Sequence, residues 1–223
     1  MEKNNKISKI ESVLGYSKEI YNIKNMKKYA VLLLILEDDN ELSFVFQVRN
    51  KQISQGGEIS LPGGKFENED ITTYNTAIRE TCEEMGIDKD NIEIIGKLDT
   101  FISHGNMLID PYVGYTDLTI NEFNVNKNEV ESVFTLPIDY FINNKPEIYK
   151  IAHFASPYIR DFSTNEKITL LPVDELNLPN KYSKKWNQYT TNIPFYKTDK
   201  GLIWGLTAQI ILLYCDTMAN SKK

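Results

Sequence analysis

Cysteine is scarce in this chain, and long apolar runs are absent. The 223 residues include only two cysteines, which is too few for the disulfide frameworks of small secreted proteins. The two longest apolar runs, 30–36 and 210–213, are too short to cross a bilayer as helices. The N-terminal stretch is polar and has no apolar core of a signal peptide. These absences predict a cytoplasmic protein with no membrane partner.

An excess of basic residues is also missing. The chain has 25 lysines and arginines against 31 acidic residues, for a formal net charge of −6. A general nucleic-acid binder carries a basic surface, so no nucleic-acid partner is expected. The hydrophobic content of 41% and the charged content of 25% are ordinary for a globular protein. The length is sufficient to bury a sizeable core.

The chain is predicted to form a single domain over residues 1–223. Residues 1–28 are expected to be a helical N-terminal extension, because apolar residues recur there at helical spacing. Residues 143–200 are expected to be an elaborating insertion rich in aromatic residues. Those aromatics could stack on an adenine ring, or they could pack in the core or in a homodimer.

Apolar patterns predict the strands on both sides of the central stretch. The apolar run 29–37 predicts a buried strand, and the alternation over 42–49 predicts its hairpin partner. Further strands are predicted at 92–98 and 110–115. His104 lies between these two strands, where a general acid–base role and an ordinary surface position both remain open.

Three carboxylates mark the chemistry of the chain. Glu80, Glu83 and Glu84 stand at i, i+3 and i+4, so a helix places them on one face. Like charges this close repel, and a divalent cation removes the conflict. Clustered carboxylate oxygens suit Mg²⁺ or Mn²⁺, which prefer oxygen ligands and keep several waters.

The residues around the carboxylates predict a turn followed by a helix. Gly63 and Gly64 form a tight turn that allows close approach of the backbone to a ligand. Thr72 or Asp70 can cap the helix, and Gly86 can end it. One arc of the helix is expected to pack on the domain, and the opposite arc is expected to present the three carboxylates. The packing arc contains Ala77, Ile78, Thr81, Cys82 and Met85.

This stretch resembles the Nudix box. That motif has Gly, five residues, Glu, seven residues, Arg-Glu, an aliphatic, any residue, Glu-Glu, any residue, Gly and an aliphatic. Here Gly64 is followed by five residues and Asp70, then by eight residues, and then by the run 79–84, Gly86 and Ile87. Asp70 replaces the first Glu, Thr81 replaces an aliphatic, and the spacer is one residue longer. The Asp and the longer spacer are similar to the coenzyme A pyrophosphatase branch of the family.

The resemblance implies a fold and a set of roles. The fold implied is the Nudix α/β/α sandwich, in which a mixed sheet lies between helices and the box forms a loop–helix–loop. Glu80 and Glu84 are implied metal ligands, with a further ligand from the Gly64 carbonyl. Glu83 is either a ligand or the base that activates water. Arg79 is implied to hold a carboxylate or a loop.

A further acidic residue and the substrate contacts lie outside the box. Glu129 and Glu131 are candidates for an additional acidic residue, and Glu129 best matches the Glu-Val pair of the coenzyme A branch. Arg49 and Lys51, just upstream, are placed to bind a diphosphate, unless they are solvated charges at a strand end. Lys65 is a third candidate for a substrate contact.

The implied function is metal-dependent hydrolysis of a diphosphate bond in coenzyme A or a derivative of it. The string 204–208 (WGLTA) supports this branch, where it opens a C-terminal helix that packs on the sheet. The chain lacks the histidine-containing segment that the branch carries before its Pro-Gly-Gly. Two alternatives remain open. One is hydrolysis of another nucleoside diphosphate derivative, such as ADP-ribose or an oxidised nucleotide. The other is a catalytically silent binding module.

Overall fold

The computed structural model describes residues 23–103 and 105–220. His104 and most of the predicted N-terminal extension, residues 1–22, lie outside the described residues. Within the rest of that extension, a 3₁₀ turn spans Ile23–Asn25 and the first strand already begins at Lys27. The predicted boundary of the helical extension at residue 28 is therefore wrong, because residues 27 and 28 already pair with the sheet.

A mixed sheet of eight strands forms the centre of the fold. Its strands are β1 (Lys27–Asp38), β2 (Glu41–Arg49), β3 (Ile59–Ser60), β4 (Gly63–Lys65), β5 (Glu93–Lys97), β6 (Phe101–Ser103), β7 (Met107–Tyr115) and β8 (Val130–Pro137). The strand order is β3-β2-β1-β7-β5, while β4 pairs with β1, β6 pairs with β7, and β8 pairs with β2. The first two strands form the predicted hairpin, and β1 and β7 run parallel.

Helices cover both faces of this sheet. They are α1 (Thr73–Met85), α2 (Ile138–Asn143) and α3 (Gly205–Asn220). Successive residues of β1 point to opposite faces, so Leu32 and Leu34 pack in one buried cluster with Ala77 of α1. Leu33 packs in the other cluster with Ile211 of α3. This arrangement confirms the predicted α/β/α sandwich.

A second, smaller group of strands lies within and after the segment predicted as an insertion. These strands are β9 (Glu147–Ala155), β10 (Tyr158–Arg160), β11 (Lys167–Thr169), β12 (Trp186–Thr198) and β13 (Gly201–Trp204). Three of them form an antiparallel sheet with the order β13-β12-β9, and β10 pairs with β11. The role of residues 143–200 and the single-domain assignment stay predictions.

The string at 204–208 packs less completely than expected. Trp204 ends β13 and Leu206 lies in the first turn of α3, and both side chains are partly exposed. Ala208 is the fully buried residue of the string. Trp204 instead stacks on Phe195, with ring centroids 5.6 Å apart. The helix packs on the main sheet through Ala208, Ile210 and Ile211 rather than through Trp204 and Leu206, because the string begins on the smaller sheet.

None of the helices within residues 23–103 and 105–220 combines the length and the apolarity that a transmembrane helix requires.

Candidate active site

The tight turn predicted at Gly63 and Gly64 is wrong, because both residues lie in the short strand β4, which pairs with the central strand. β4 is antiparallel to β1, and Gly64 lies opposite Ala30. A Cβ on Gly64 would lie 2.3 Å from the carboxyl carbon of Glu80, and one on Gly63 would lie 2.4 Å from the Ala30 carbonyl oxygen. Gly63 also has φ of 146°. Gly63 therefore requires glycine for its backbone, whereas the missing Cβ of Gly64 leaves room for the Glu80 carboxylate beside it.

Thr72 caps α1, and Gly86 ends it. The Thr72 hydroxyl accepts a hydrogen bond from the Asn75 N–H at 3.4 Å. At the other end, Gly86 takes φ of 66° and its N–H donates to the Cys82 carbonyl at 2.9 Å. Of the two predicted caps, the structure uses Thr72, since the Asp70 carboxylate is engaged elsewhere.

Asp70 is buried beside Arg79. Its carboxylate accepts from Nε of Arg79 at 2.7 Å and from Nη2 at 3.0 Å. The Thr76 hydroxyl and the Glu67 N–H donate to the same carboxylate at 2.8 and 2.9 Å. The Arg79 guanidinium, more than any other neighbour, holds the pKa of Asp70 well below its usual range. This residue is an anchor for the loop.

Arg79 connects that anchor to the box carboxylates. Its Nη2 lies 3.0 Å from a Glu80 oxygen, and its Nη1 donates to Glu83 at 3.0 Å. Nη2 also donates to the Lys65 carbonyl at 3.1 Å. One guanidinium thus binds Asp70 in the 3₁₀ turn Asn68–Asp70, the strand β4 and two helix carboxylates at once, which uses its fork of five donors.

Glu84 is buried, with only 4% of its surface exposed. One carboxylate oxygen accepts from Gln47 Nε2 and the other from the Gly63 N–H, both at 2.9 Å. Burial raises the pKa of Glu84 to about 7, even though these two donors oppose the shift. The expectation of three solvent-facing carboxylates is therefore wrong for Glu84, because β2 covers it.

Sequence reasoning missed Gln47. It lies in the middle of the alternating strand β2, is fully buried, and its Oε1 has no hydrogen-bond partner among the described residues. A buried polar side chain within an apolar strand was the available signal. Its contact with Glu84 spans 37 positions of sequence, so spacing alone could not reveal it.

Glu80 stands where several charges meet. Burial raises its pKa first, Arg79 opposes that shift, and the negative charges of Glu83 and Glu129 raise the pKa further. Glu129 reaches this region because its carbonyl accepts from the Asn50 N–H at 2.8 Å, at the end of β2. The structure therefore brings the charge of Glu129 close enough to act on Glu80.

The three candidate cations differ in their surroundings. The charge of Arg49 lowers the pKa of Glu84, and its Nε donates to the Ser54 carbonyl at 3.1 Å. Lys51 forms an exposed ion pair with Glu131 at 3.2 Å. Lys65 contributes its carbonyl to Arg79, while the residue is exposed. Arg49 is thus the cation of this set whose charge acts on a box carboxylate.

The donor chemistry of the site fits a divalent cation. Glu80 lies against Gly64, Glu84 accepts from the Gly63 N–H, and the negative charge of Glu80 raises the pKa of Glu84. A hard cation relieves such repulsion and prefers oxygen donors. Within residues 23–103 and 105–220, no three acidic, His or Cys side chains already form a compact ligand set. Glu80, Glu84 and the Gly64 carbonyl are residues that fit such a cation. Glu83, which like Glu80 lies 3.0 Å from Arg79, fits either as a further ligand or as a base.

Comparison with known proteins identifies the family. The family model described as "NUDIX domain" matches residues 26–186. The chain belongs to the NUDIX family. Nudix hydrolases act on pyrophosphate bonds, and they generally use divalent metals such as Mg²⁺ or Mn²⁺. The family assignment confirms the resemblance that the box residues predicted.

Several named relatives are similar to this NUDIX chain over part of their length. The mouse peroxisomal coenzyme A diphosphatase NUDT7 is 32% identical over 130 residues, which is 58% of this chain and 54% of that protein. Nudix hydrolase 15, mitochondrial, from Arabidopsis thaliana is 35% identical over 139 residues, 60% of this chain and 48% of that protein. The chain spans about half the length of the curated relatives it matches.

A solved structure with a similar arrangement is the Nudix hydrolase RenU from M. smegmatis. It is 17% identical, covers 52% of this chain and 73% of its own, and gives a TM-score of 0.45. The names of the relatives include peroxisomal and mitochondrial proteins, and the cytoplasmic location of this NUDIX protein stays a prediction.

Cys82 offers a test of the packing side of α1. Burial raises the pKa of its thiol, and the side chain is half-buried beside an apolar cluster. Such a thiol is a poor nucleophile, so Cys82→Ala is expected to keep turnover within about twofold and to lose about 1 kcal/mol of stability. Turnover and urea unfolding of Cys82→Ala measure both effects. The matched control is Cys215→Ala, the other half-buried free cysteine. Fast alkylation at Cys82 together with loss of turnover in Cys82→Ala would contradict this prediction.

Proposed function

We propose that this protein hydrolyses the diphosphate bond of coenzyme A or a coenzyme A derivative, with Mg²⁺ or Mn²⁺ as cofactor. The products are an adenosine diphosphate and a phosphopantetheine. The observation that carries the proposal is the cluster of Glu80 and Glu84 against Gly63 and Gly64. It places two carboxylates of raised pKa at the glycines of β4, where a diphosphate and its cation can approach the backbone.

The residues of the chain divide the work of this reaction. A bound divalent cation supplies charge neutralisation of the diphosphate and lowers the pKa of a water molecule. Glu80, Glu84 and the Gly64 carbonyl would hold it. Arg79 fixes the carboxylates relative to the loop, through its contacts with Asp70 and Lys65. This role is positioning rather than contact with the substrate.

The water-activating base has two candidates. Glu83 is the more exposed box carboxylate and is tied to Arg79 by a single contact, so it can serve as a ligand or accept the proton of the attacking water. Glu129 lies outside the helix, and its charge acts on Glu80. Comparing the pH profiles of Glu83→Gln and Glu129→Gln separates the two, because loss of the base removes one limb of the profile.

The choice of coenzyme A rests on three supports. The relative from mouse is named a coenzyme A diphosphatase, the box carries Asp70 with the eight-residue spacer, and Arg49 provides a cation beside Glu84. An experiment must separate this function from two alternatives. One is hydrolysis of ADP-ribose or of an oxidised nucleotide, and the other is binding without catalysis by a silent module.

A hydrolysis screen tests the proposal. The purified protein is incubated with Mg²⁺ or Mn²⁺ and with coenzyme A, ADP-ribose, diadenosine polyphosphates and nucleotides, and the products are identified by mass. Coenzyme A is expected to give the highest kcat/KM. Faster cleavage of ADP-ribose would reject the substrate assignment. Binding of Mg²⁺ by calorimetry without cleavage of any compound would reject the enzymatic one.

Arg49 is expected to contribute to substrate binding. Arg49→Ala is predicted to lower kcat/KM for coenzyme A. The fall should correspond to a loss of about 1–3 kcal/mol of apparent transition-state stabilisation, the scale of a lost charge-assisted hydrogen bond. Intact coenzyme A is also expected to be cleaved better than 3′-dephospho-coenzyme A, since the extra phosphate gains from a cation. The matched control is Arg160→Ala, an arginine of β10 that also donates to a loop carbonyl. Equal kcat/KM for coenzyme A and 3′-dephospho-coenzyme A would contradict the expected role of the extra phosphate. An equal loss of kcat/KM in Arg49→Ala and Arg160→Ala would contradict the expected role of Arg49.

A further inference from the structure

A cavity of about 530 Å³ opens at the N-terminal end of α1, outside the carboxylate cluster. Its volume lies within the ~300–1,000 Å³ typical of small-molecule sites. Its lining is mixed, with hydroxyl and charged groups as well as apolar side chains. The apolar part comes from Ile23, Phe66, Ile71, Ile102 and Leu108.

This cavity adjoins the loop that Arg79 organises. Phe66 follows Lys65, whose carbonyl accepts from Arg79, and Ile71 follows Asp70, which pairs with Arg79. Thr73 of the lining precedes Glu80 by seven residues of α1, which is about 10 Å at 1.5 Å per residue. A ligand anchored at the carboxylates can therefore extend into the cavity.

Ile71 is held there in a strained backbone conformation. Its φ is 66° and its ψ is −43°, and the Thr72 N–H donates to the Asp70 carbonyl at 2.6 Å. These values describe a classic γ-turn, which is rare and strained, and more so for a β-branched residue. Ile71 lies within the spacer that is one residue longer than the common box, and its side chain is 81% exposed. Strain that presents an apolar side chain at a cavity is typical of a functional position.

The charged side chains of the lining already have partners within the protein. Asp110 is bound by Lys97 at 2.7 Å, by the Thr100 hydroxyl at 2.5 Å and by the Thr73 hydroxyl at 2.7 Å. This ion pair is balanced, and its carboxylate would repel a phosphate. The hydroxyls beside it can exchange hydrogen bonds with amide groups. The ring of Phe66 has the Lys28 ammonium 5.6 Å from its centroid, so a stacked base would compete with that cation.

We propose that this cavity binds the pantetheine arm of the substrate. The arm is uncharged and has two amides, a hydroxyl and a dimethyl group, which match the threonine hydroxyls and the isoleucine, leucine and phenylalanine side chains of the lining. Its twelve chain atoms equal about four extended residues, ~13 Å at 3.3 Å each, so it spans the distance from the carboxylates. This inference rests on the proposed function and extends it, because it makes the arm a determinant of specificity.

Two isoleucines allow a matched test. Ile102 of β6 lines the cavity, Ile95 of β5 does not, and each is 61% exposed. Neither substitution opens a core cavity, so Ile102→Asn and Ile95→Asn should both fold. The substrates are coenzyme A and the methyl ester of 3′-phosphoadenosine 5′-diphosphate, which keeps the nucleotide and the diphosphate but lacks the arm. The quantity measured is the ratio of their kcat/KM values. Binding of 4′-phosphopantetheine is measured in parallel by calorimetry.

Ile102→Asn is expected to lower that ratio about tenfold, mainly through KM, and to weaken binding of 4′-phosphopantetheine to the same extent. Ile95→Asn should change neither by more than twofold. If Ile102→Asn matches Ile95→Asn while the wild-type protein cleaves coenzyme A, the cavity does not bind the arm and the proposed function stands. If the wild-type protein does not cleave coenzyme A, the proposed function fails and this inference fails with it.

Discussion

Glu84→Gln is expected to lower turnover by about a hundredfold or more, the scale on which a lost electrostatic stabiliser acts. The substitution removes the charge that helps to hold the cation. It also sets an amide NH₂ against two hydrogen-bond donors, Gln47 Nε2 and the Gly63 N–H. One of those contacts must be lost, at a cost of roughly 1–3 kcal/mol in stability. Steady-state kinetics and urea unfolding measure the two effects separately.

The matched control for Glu84→Gln is Glu93→Gln, at an exposed position of β5 away from the cluster. That variant should keep wild-type turnover and stability within error. Raising the Mg²⁺ concentration should restore part of the activity of Glu84→Gln if the loss is one of cation affinity. Near-normal Mg²⁺-dependent turnover in Glu84→Gln would remove this residue from the ligand set.

Asp70→Asn should destabilise the fold by about 2 kcal/mol, because it removes the charged acceptor of several buried hydrogen bonds, while Arg79 keeps its contacts with Glu80 and Glu83. Asp70 is 5% exposed and accepts from Arg79, Thr76 and Glu67. The denaturation midpoint should fall with little change in the dependence on denaturant. Turnover should fall as well, since the loop would no longer be anchored to the guanidinium that contacts Glu80 and Glu83.

Asp88→Asn is the control for that loss of stability. Asp88 is exposed and its side chain makes no capping hydrogen bond, so its substitution should change stability by no more than about 0.5 kcal/mol. A loss in Asp70→Asn as small as that in Asp88→Asn would show that Asp70 does not anchor the loop.

The stability lost in Asp70→Asn should depend on pH. Arg79 lowers the pKa of Asp70 in the folded state, so the unfolded chain takes up this proton at a higher pH than the folded protein. The contribution of the pair is therefore complete above the unfolded value of about 4 and declines as the pH falls below it. The difference in the free energy of unfolding between wild type and Asp70→Asn should therefore be smaller at pH 3 than at pH 7, by roughly 1 kcal/mol. A difference of constant size from pH 7 to pH 3 would contradict the ion pair as its cause.

Local patterns in the sequence predicted the strands and the central helix well. The strand predicted at 29–37 forms as part of Lys27–Asp38, and its residues alternate between the two faces of the sheet. Thr72 and Gly86 act through their own backbone or their near neighbours. Such features depend on a few residues in succession, so periodicity and turn chemistry suffice to find them.

By itself, the sequence determined the family, the α/β/α architecture and the grouping of Glu80, Glu83 and Glu84 on one helix, because helical spacing alone places these residues together. Only the tertiary structure decided their environments. Glu84 is buried by a glutamine 37 positions away, and Lys51 pairs with an acidic residue 80 positions away. Burial and charge depend on which strands pack side by side, and the pKa of a carboxylate is set by those neighbours rather than by its place in the chain.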